Sequence, residues 1–152
     1  MIIGGPGAGK SWLAGELGRR TGLPVFHVDD FVWAANGSVR APEQIDRDLR
    51  DLASGERWII EGGNSRTYAA RAARADTIVH LGPPRWLRLM RVWRRDGWRW
   101  NLLKWTLHYD KVFGRKDRFV VESAPSGVRV HEFTSSAAVE GWLGQVERSP
   151  EP

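Results

Sequence analysis

The chain predicts an α/β fold of three layers, a five-stranded parallel sheet with helices on both faces, and three observations predict it. Strand-like and helix-like segments alternate along its 152 residues, which is the pattern of a parallel sheet whose crossovers are helices. The first apolar segment, Met1-Ile2-Ile3, runs directly into Gly4-Gly5-Pro6-Gly7-Ala8-Gly9-Lys10-Ser11, a complete phosphate-binding loop of the G-x-x-x-x-G-K-[ST] type. Polar residues also follow the second and third strand segments, at the strand ends where such a sheet gathers its ligands.

Each element has its own signal. Met1–Ile3 reads as the first strand, and Ser11 to Arg20 as a helix with Trp12, Leu13 and Leu17 turned inward. Thr21-Gly22 closes that helix, since glycine takes the left-handed conformation of a C-terminal cap. Residues 24–28 form the second strand, and Asn36-Gly37 marks a loop. Pro42 suits a first helical turn, and Ile45, Leu49 and Leu52 recur at helical spacing behind it. Trp58-Ile59-Ile60 is a third strand, 66–75 a helix, and 77–81 a fourth strand. Residues 84–95 and 98–109 read as helices, 128–133 as a fifth strand, and 136–146 as a closing helix. Ser123 to Gly127 reads as an exposed loop, broken by Pro125 and Gly127. Ser149 to Pro152 reads as a frayed tail.

Composition narrows the function. A chain of 152 residues, 41% hydrophobic, buries one ordinary core, so residues 1–152 form a single domain. With no cysteine there is no disulfide framework, thiol nucleophile or cysteine metal site. No apolar run reaches a membrane span and no charged-then-apolar leader precedes the loop, so the expectation is a soluble, cytoplasmic protein. The net charge of +5 is concentrated. Residues 85–118 carry eleven Lys and Arg against three Asp, a net +8, which leaves −3 for the remainder. A basic segment on a slightly acidic body is expected to meet an anion.

The loop defines the first chemistry. Its glycines let successive N–H groups point into one concavity, and the following helix aims its positive dipole end at the same place. Gly4 to Ser11 and Trp12 are therefore the expected ATP-binding residues. Lys10 would reach the β- and γ-phosphates, and the Ser11 hydroxyl would ligate Mg²⁺. After the second strand, His27 and Asp29 alternate and so share one face of the strand end. Asp29, with Asp30 beside it, is expected to orient an acceptor hydroxyl or a metal-bound water, while His27 reads as structural. After the third strand, Glu61 stands where a carboxylate contacts the metal, and Arg66 is placed to clamp an acceptor phosphate or carboxylate.

The segment 85–95 separates by angle. At 100° per residue, Trp86, Leu89, Met90 and Trp93 fall on one face and Arg85, Arg88, Arg91 and Arg95 on the other. The apolar face is expected in the core. From 98 to 109 two apolar stripes run nearly opposite each other: Trp98, Leu102, Trp105 and Tyr109, then Trp100, Leu103 and Leu107. Such a helix is buried on both sides, meets a partner or lines a substrate site.

The phosphate loop, the Glu61-Gly62-Gly63-Asn64-Ser65-Arg66-Thr67 segment, and Arg91 and Arg95 one turn apart resemble the adenylate-kinase-type P-loop kinases. Adenylate kinases carry Asp-Gly-Phe-Pro-Arg-Thr in that segment, spaced one residue differently and with Asp where this chain has Glu61. Leu23-Pro24-Val25, His27-Val28-Asp29, Trp33, Trp58-Ile59-Ile60-Glu61-Gly62 and Asn64-Ser65-Arg66-Thr67 are closer still to the small bacterial topology modulation proteins, which are classed with these kinases. The resemblance covers roughly residues 1–95. It implies a helical lid, with 96–118 as a basic, Trp-rich lid-like segment, and Arg91 and Arg95 as lid arginines at the transferring phosphoryl group, helped by a third from the Arg115-Lys116-Asp117-Arg118 run. It also implies that Thr134-Ser135, after strand five, approaches the adenine.

Two functional readings follow. The first is a kinase using Mg²⁺ and ATP on a nucleotide or small-molecule acceptor, with Lys10, Asp29, Arg91 and Arg95 catalytic, Asp29, Glu61 and Arg66 holding the acceptor, and Ser11 and Glu61 the metal. The second is a nucleotide-binding regulator of the topology modulation type whose basic, Trp-rich segment contacts nucleic acid by stacking and charge. A monomer or a homodimer suits either.

Overall fold

The computed structural model describes residues 1–146; the expected tail at 149–152 lies outside them. Five parallel strands form one sheet: β1 (Ile2–Gly4), β2 (Val25–His27), β3 (Ile59–Glu61), β4 (Thr77–Leu81) and β5 (Arg129–Phe133), in the spatial order β2-β3-β1-β4-β5. Eight helices accompany them among the described residues: α1 (Lys10–Thr21), α2 (Val28–Val32), α3 (Pro42–Ala53), α4 (Tyr68–Ala72), α5 (Arg85–Asp96), α6 (Trp100–Val112), α7 (Gly114–Glu122) and α8 (Ser136–Val146).

Strand alternation divides the core in two. Ile2, Val79 and Leu81 point to the side where Leu13 and Leu17 of α1 meet Val139 and Leu143 of α8. Ile3 and Ile78 point to the other side, against Tyr68 and Ala72 of α4 and Val120 of α7. Ile60 meets Ile45 and Leu49 of α3 and the buried Val28. β1 lies at the centre of the sheet, so the loop that leaves it is flanked by the ends of β3 and β4. No helix of the described residues is long and apolar enough to cross a membrane.

Four expectations are corrected. Strand two ends at His27 and the chain turns at once into α2, because Val28 is drawn into the Ile45–Leu49–Ile60 cluster. Asp29 and Asp30 are therefore first-turn helix acids, favoured by the helix dipole, and Asp29 does not share a strand face with His27. Trp12 is exposed where an inward position was expected. The faces of α5 are reversed: Trp86, Met90 and Trp93 look outward, while Arg88 and Val92 are buried. Of the arginine face, Arg88 and half-buried Arg91 go inward because Asp110 and loop carbonyls await them there, which hydrophobicity alone does not encode, while Arg85 and Arg95 stay exposed. Finally, α7 forms where no helix was expected, and its Asp117, read as part of a basic run, is buried. The loop 123–127 matches expectation, exposed apart from half-buried Ala124.

Candidate functional site

The loop after β1 is shaped by close approach. Gly7 has φ of +71°, and a Cβ there would lie 2.5 Å from the Arg88 carbonyl oxygen, so only glycine fits under α5. Lys10 opens α1 and folds its ammonium back over the loop, donating to the Gly5 carbonyl at 3.2 Å. Desolvation lowers its pKa, against the opposing pull of Glu61 and Asp29. A lysine so placed gains most when an anion enters the concavity.

Register brings the next group in. Glu61, the last residue of β3, pairs with Ile2 on one side and His27 on the other. Its carboxylate is 6% exposed and accepts the Ser11 hydroxyl at 2.8 Å, with His27 Nδ1 2.7 Å from the same oxygen. Ser11 and Glu61 are hard oxygen donors. Among the described residues no group of three His, Asp or Glu could cage a metal. Two such ligands fit Mg²⁺, which keeps several of its waters and takes few protein groups.

The other expected residues fall around this centre. Asp29 reaches it as a charge acting on Lys10, and Asp30 is exposed beside it. Arg66 lies in a 3₁₀ turn over Ser65–Thr67, and its Nε donates to both oxygens of Asp46 on α3, at 3.0 and 2.9 Å. Arg91 lies directly on the loop: Nη1 donates to the carbonyls of Gly7 at 3.4 Å and Ala8 at 3.3 Å, and Nη2 to Ser136 Oγ at 2.8 Å. Arg95 is paired with the adjacent Asp96 at 2.8 Å and its side chain is 66% exposed, although its charge also depresses the Lys10 pKa. Lys116 donates to Ser65 Oγ at 3.2 Å. A cavity of about 330 Å³ opens beside the loop, walled by Ala8, Gly9, Trp12, Phe133, Ser135 and Glu140 among others. β5 is an edge strand separated from β1 by β4; Ser135 lines this cavity and Thr134 does not.

Three supporting groups escaped sequence reasoning. Arg88 is 4% exposed and covers Gly5, with Nη2 donating to Asp110 at 2.5 Å while Arg85 Nε donates to the same oxygen at 3.1 Å. Arg71 is fully buried and donates to the carbonyls of Gly62, Gly63 and Asn64, fixing the loop after Glu61, in which Asn64 is left-handed. Burial lowers its pKa to about 10. Its signal was available, since Arg71 shares a helical face with Tyr68, Ala72 and Ala75 and so had to point inward. The third is Asp117, which accepts hydrogen bonds from Tyr68 at 2.8 Å and Tyr109 at 2.9 Å, tying α7 to α4 and α6. The Tyr109 ring packs under Gly5, so this brace ends at the phosphate loop.

No protein-family model and no curated protein sequence matches the chain. Its structure is similar to a shikimate kinase from Acinetobacter baumannii in complex with shikimate, with a TM-score of 0.64 and 18% identity over 95% of this chain and 88% of that one. It is also similar to a gluconokinase from Sinorhizobium meliloti, with a TM-score of 0.57 and 13% identity over 97% and 91% of the two chains. A deoxyadenosine kinase from M. mycoides with bound dATP gives 0.55 and 10% identity, over 95% and 96%. The protein thus has the three-layer α/β P-loop kinase fold.

Proposed function

We propose that this protein is an ATP-dependent phosphotransferase acting on a small acceptor, akin in its sequence pattern to the topology modulation group of adenylate-kinase-like proteins. The observation that carries the reading is the coincidence of three things at the end of β1: the glycine-shaped loop, Lys10 curled over it, and the Ser11–Glu61 pair in register beside it. Ser11 and Glu61 would hold Mg²⁺, which supplies neutralising charge to the triphosphate oxygens. The loop N–H groups and Lys10 bind the β- and γ-phosphates. Arg91, held at the loop carbonyls, and Arg95, one turn on, neutralise charge on the transferring group. Asp29 orients the acceptor hydroxyl, and Arg66 clamps an anionic part of the acceptor. The acceptor oxygen bonds to the γ-phosphorus while the bond from that phosphorus to the β–γ bridging oxygen breaks. ADP leaves, and the hydroxyl proton passes through Asp29 to solvent. Positioning and charge supply most of such a reaction. Within the basic segment 96–118, Tyr109 and Asp117 are fixed in the brace beneath Gly5, and the exposed stretch 97–101 is the part that closes over the site as a lid, excluding water.

ATP turnover against nucleoside monophosphates and small hydroxyl compounds tests this reading. One class of acceptor is expected to raise ADP production well above the rate without acceptor. Tight ATP binding with no transfer to any acceptor would instead favour the regulator reading. The observation on that side is the exposed Trp98 and Trp100 beside exposed Arg94 and Arg99. That reading requires nucleic-acid binding that weakens steeply with salt.

A further inference from the structure

A second cleft, of about 620 Å³, lies between the segment after α2 and the start of α6. Its walls are Trp33, Arg99, Trp100, Asn101, Leu102 and Trp105. All three indoles remain substantially exposed. Leaving so much aromatic surface in water around one concavity has no benefit for the fold. Nor are these rings loose. Trp100 is backed by Trp98 at a centroid distance of 5.5 Å, and Trp105 is held edge-on by Tyr109 at 6.1 Å and Phe113 at 5.2 Å. Trp100 and Trp105 are each held on one side and offer their remaining surface to the cleft, so these two rings lose little side-chain freedom on filling it.

Charge decides what fits. Cages of indoles suit cations, but here the wall contributes the guanidinium of Arg99 and no carboxylate. Arg99 forms no ion pair among the described residues, whereas Arg85, Arg88 and Arg95 nearby are each engaged by Asp110 or Asp96. A cation is therefore repelled, and an anion finds a planar, undivided donor. Asn101 adds an amide on the same rim. The position is informative as well. The Trp33 N–H lies 3.4 Å from the Asp29 carbonyl, one helical turn from the carboxylate assigned to the acceptor hydroxyl.

We propose that this cleft binds a flat ring system bearing an anionic group, the ring lying on the tryptophans and the charge on Arg99. That this ligand is the phosphoryl acceptor rests on the kinase reading above; the binding chemistry does not.

The test uses two fluorescent probes that differ by one sulfonate group, anilinonaphthalene sulfonate and its uncharged parent phenylnaphthylamine, titrated into the full chain with saturating Mg²⁺–ATP present to occupy the phosphate loop. The sulfonate should bind at one site, about ten-fold tighter than the parent, the margin of one charge-assisted contact. Arg99→Gln should erase that margin and leave the parent's affinity unchanged. Trp33→Ala and Trp100→Ala should weaken both probes about ten-fold, as loss of a stacking wall does. These residues are exposed, so their variants should keep the thermal midpoint of the wild type. Equal affinity for the two probes, no saturable site, or affinities that the three variants do not move would overturn the proposal. So would a wild-type dimer that Trp33→Ala converts to monomer, because a second copy would then be the occupant. If the probes behave as expected but ATP is never turned over, the cleft stands and the kinase reading falls. If ATP is turned over while the probes ignore the cleft, the reverse holds.

Discussion

Asp117→Ala should destabilise the protein by about 3 kcal/mol, and the figure follows from the brace between α4, α6 and α7. Asp117 is 1% exposed and is the acceptor for two buried hydroxyls, Tyr68 and Tyr109. Burial and the carboxylate together raise the pKa of both phenols, so each stays a donor throughout the accessible range. Removing the acceptor leaves the two neighbouring hydroxyls only each other, so one is orphaned at about 1–3 kcal/mol and the other exchanges a charged partner for a neutral one at about 1 kcal/mol, about 2–4 kcal/mol together. Relief from burying a carboxylate offsets part of this, which places the net near the lower half of that range. With a urea slope of about 2 kcal/mol per molar, the unfolding midpoint should fall by about 1.5 M. The decisive comparison is Tyr109→Phe made in both backgrounds and followed by circular dichroism. In the wild type it should cost about 1.5–3 kcal/mol, because a charge-assisted bond is lost. In the Asp117→Ala background it should cost little or nothing, because one hydroxyl is orphaned there whether or not Tyr109 keeps its own. Equal costs in the two backgrounds would mean the tyrosines and Asp117 do not act as a unit, and the brace beneath Gly5 would have to be abandoned.

Gly7→Ala should abolish ATP binding, because a Cβ at φ of +71° would lie 2.5 Å from the Arg88 carbonyl and force α5 off the loop; calorimetry showing wild-type affinity would contradict this. Arg91→Ala should lower turnover by about ten- to a thousand-fold, the range for one transition-state donor, and Arg95→Ala by less, since Arg95 is already held by Asp96. Steady-state rates in which Arg95→Ala is the more damaging change would reverse that assignment. His131 stacks on Phe133 and Trp142, and desolvation, with Arg129 nearby, lowers its pKa. The unfolded chain then binds that proton more tightly, so this contribution to stability is full above the ordinary histidine value of about 6.5 and is lost as pH falls below it. Urea midpoints at pH 7.5 and 5.5 should converge in His131→Phe relative to the wild type, and an unchanged difference would exclude His131 as the source.

The sheet and the phosphate loop were legible because both are local. Met1-Ile2-Ile3 and Thr77 to Leu81 are short apolar runs between turn signals, and the loop declares its chemistry in eight consecutive residues. Glu61 was legible through its position at a strand end. What escaped was set by contacts between distant segments. The angle plot of α5 separated tryptophans from arginines correctly, but which face turned inward depended on carbonyls of Gly7 and Ala8 some 80 residues away. Asp117 looked like one acid in a basic run until α7 carried it to two tyrosine hydroxyls. Asp29 was found by type and place, yet the strand geometry used to argue for it was replaced by a helix that Val28 initiates. The single hydrophobic pattern has no means of recording an arginine that is buried because its partners are backbone oxygens.

Calorimetric titration of Mg²⁺–ATP into the wild type and Lys10→Ala tests the central claim most directly. Lys10 makes one hydrogen bond among the described residues, to the Gly5 carbonyl, and its ammonium is held there against desolvation, so its removal should not lower the unfolding midpoint. The wild type should bind one equivalent of nucleotide saturably, and Lys10→Ala should bind at least about ten-fold more weakly, because a partly desolvated ammonium on the β- and γ-phosphates is lost. Identical isotherms for two equally folded proteins would contradict the claim that the loop after β1 is a nucleotide site.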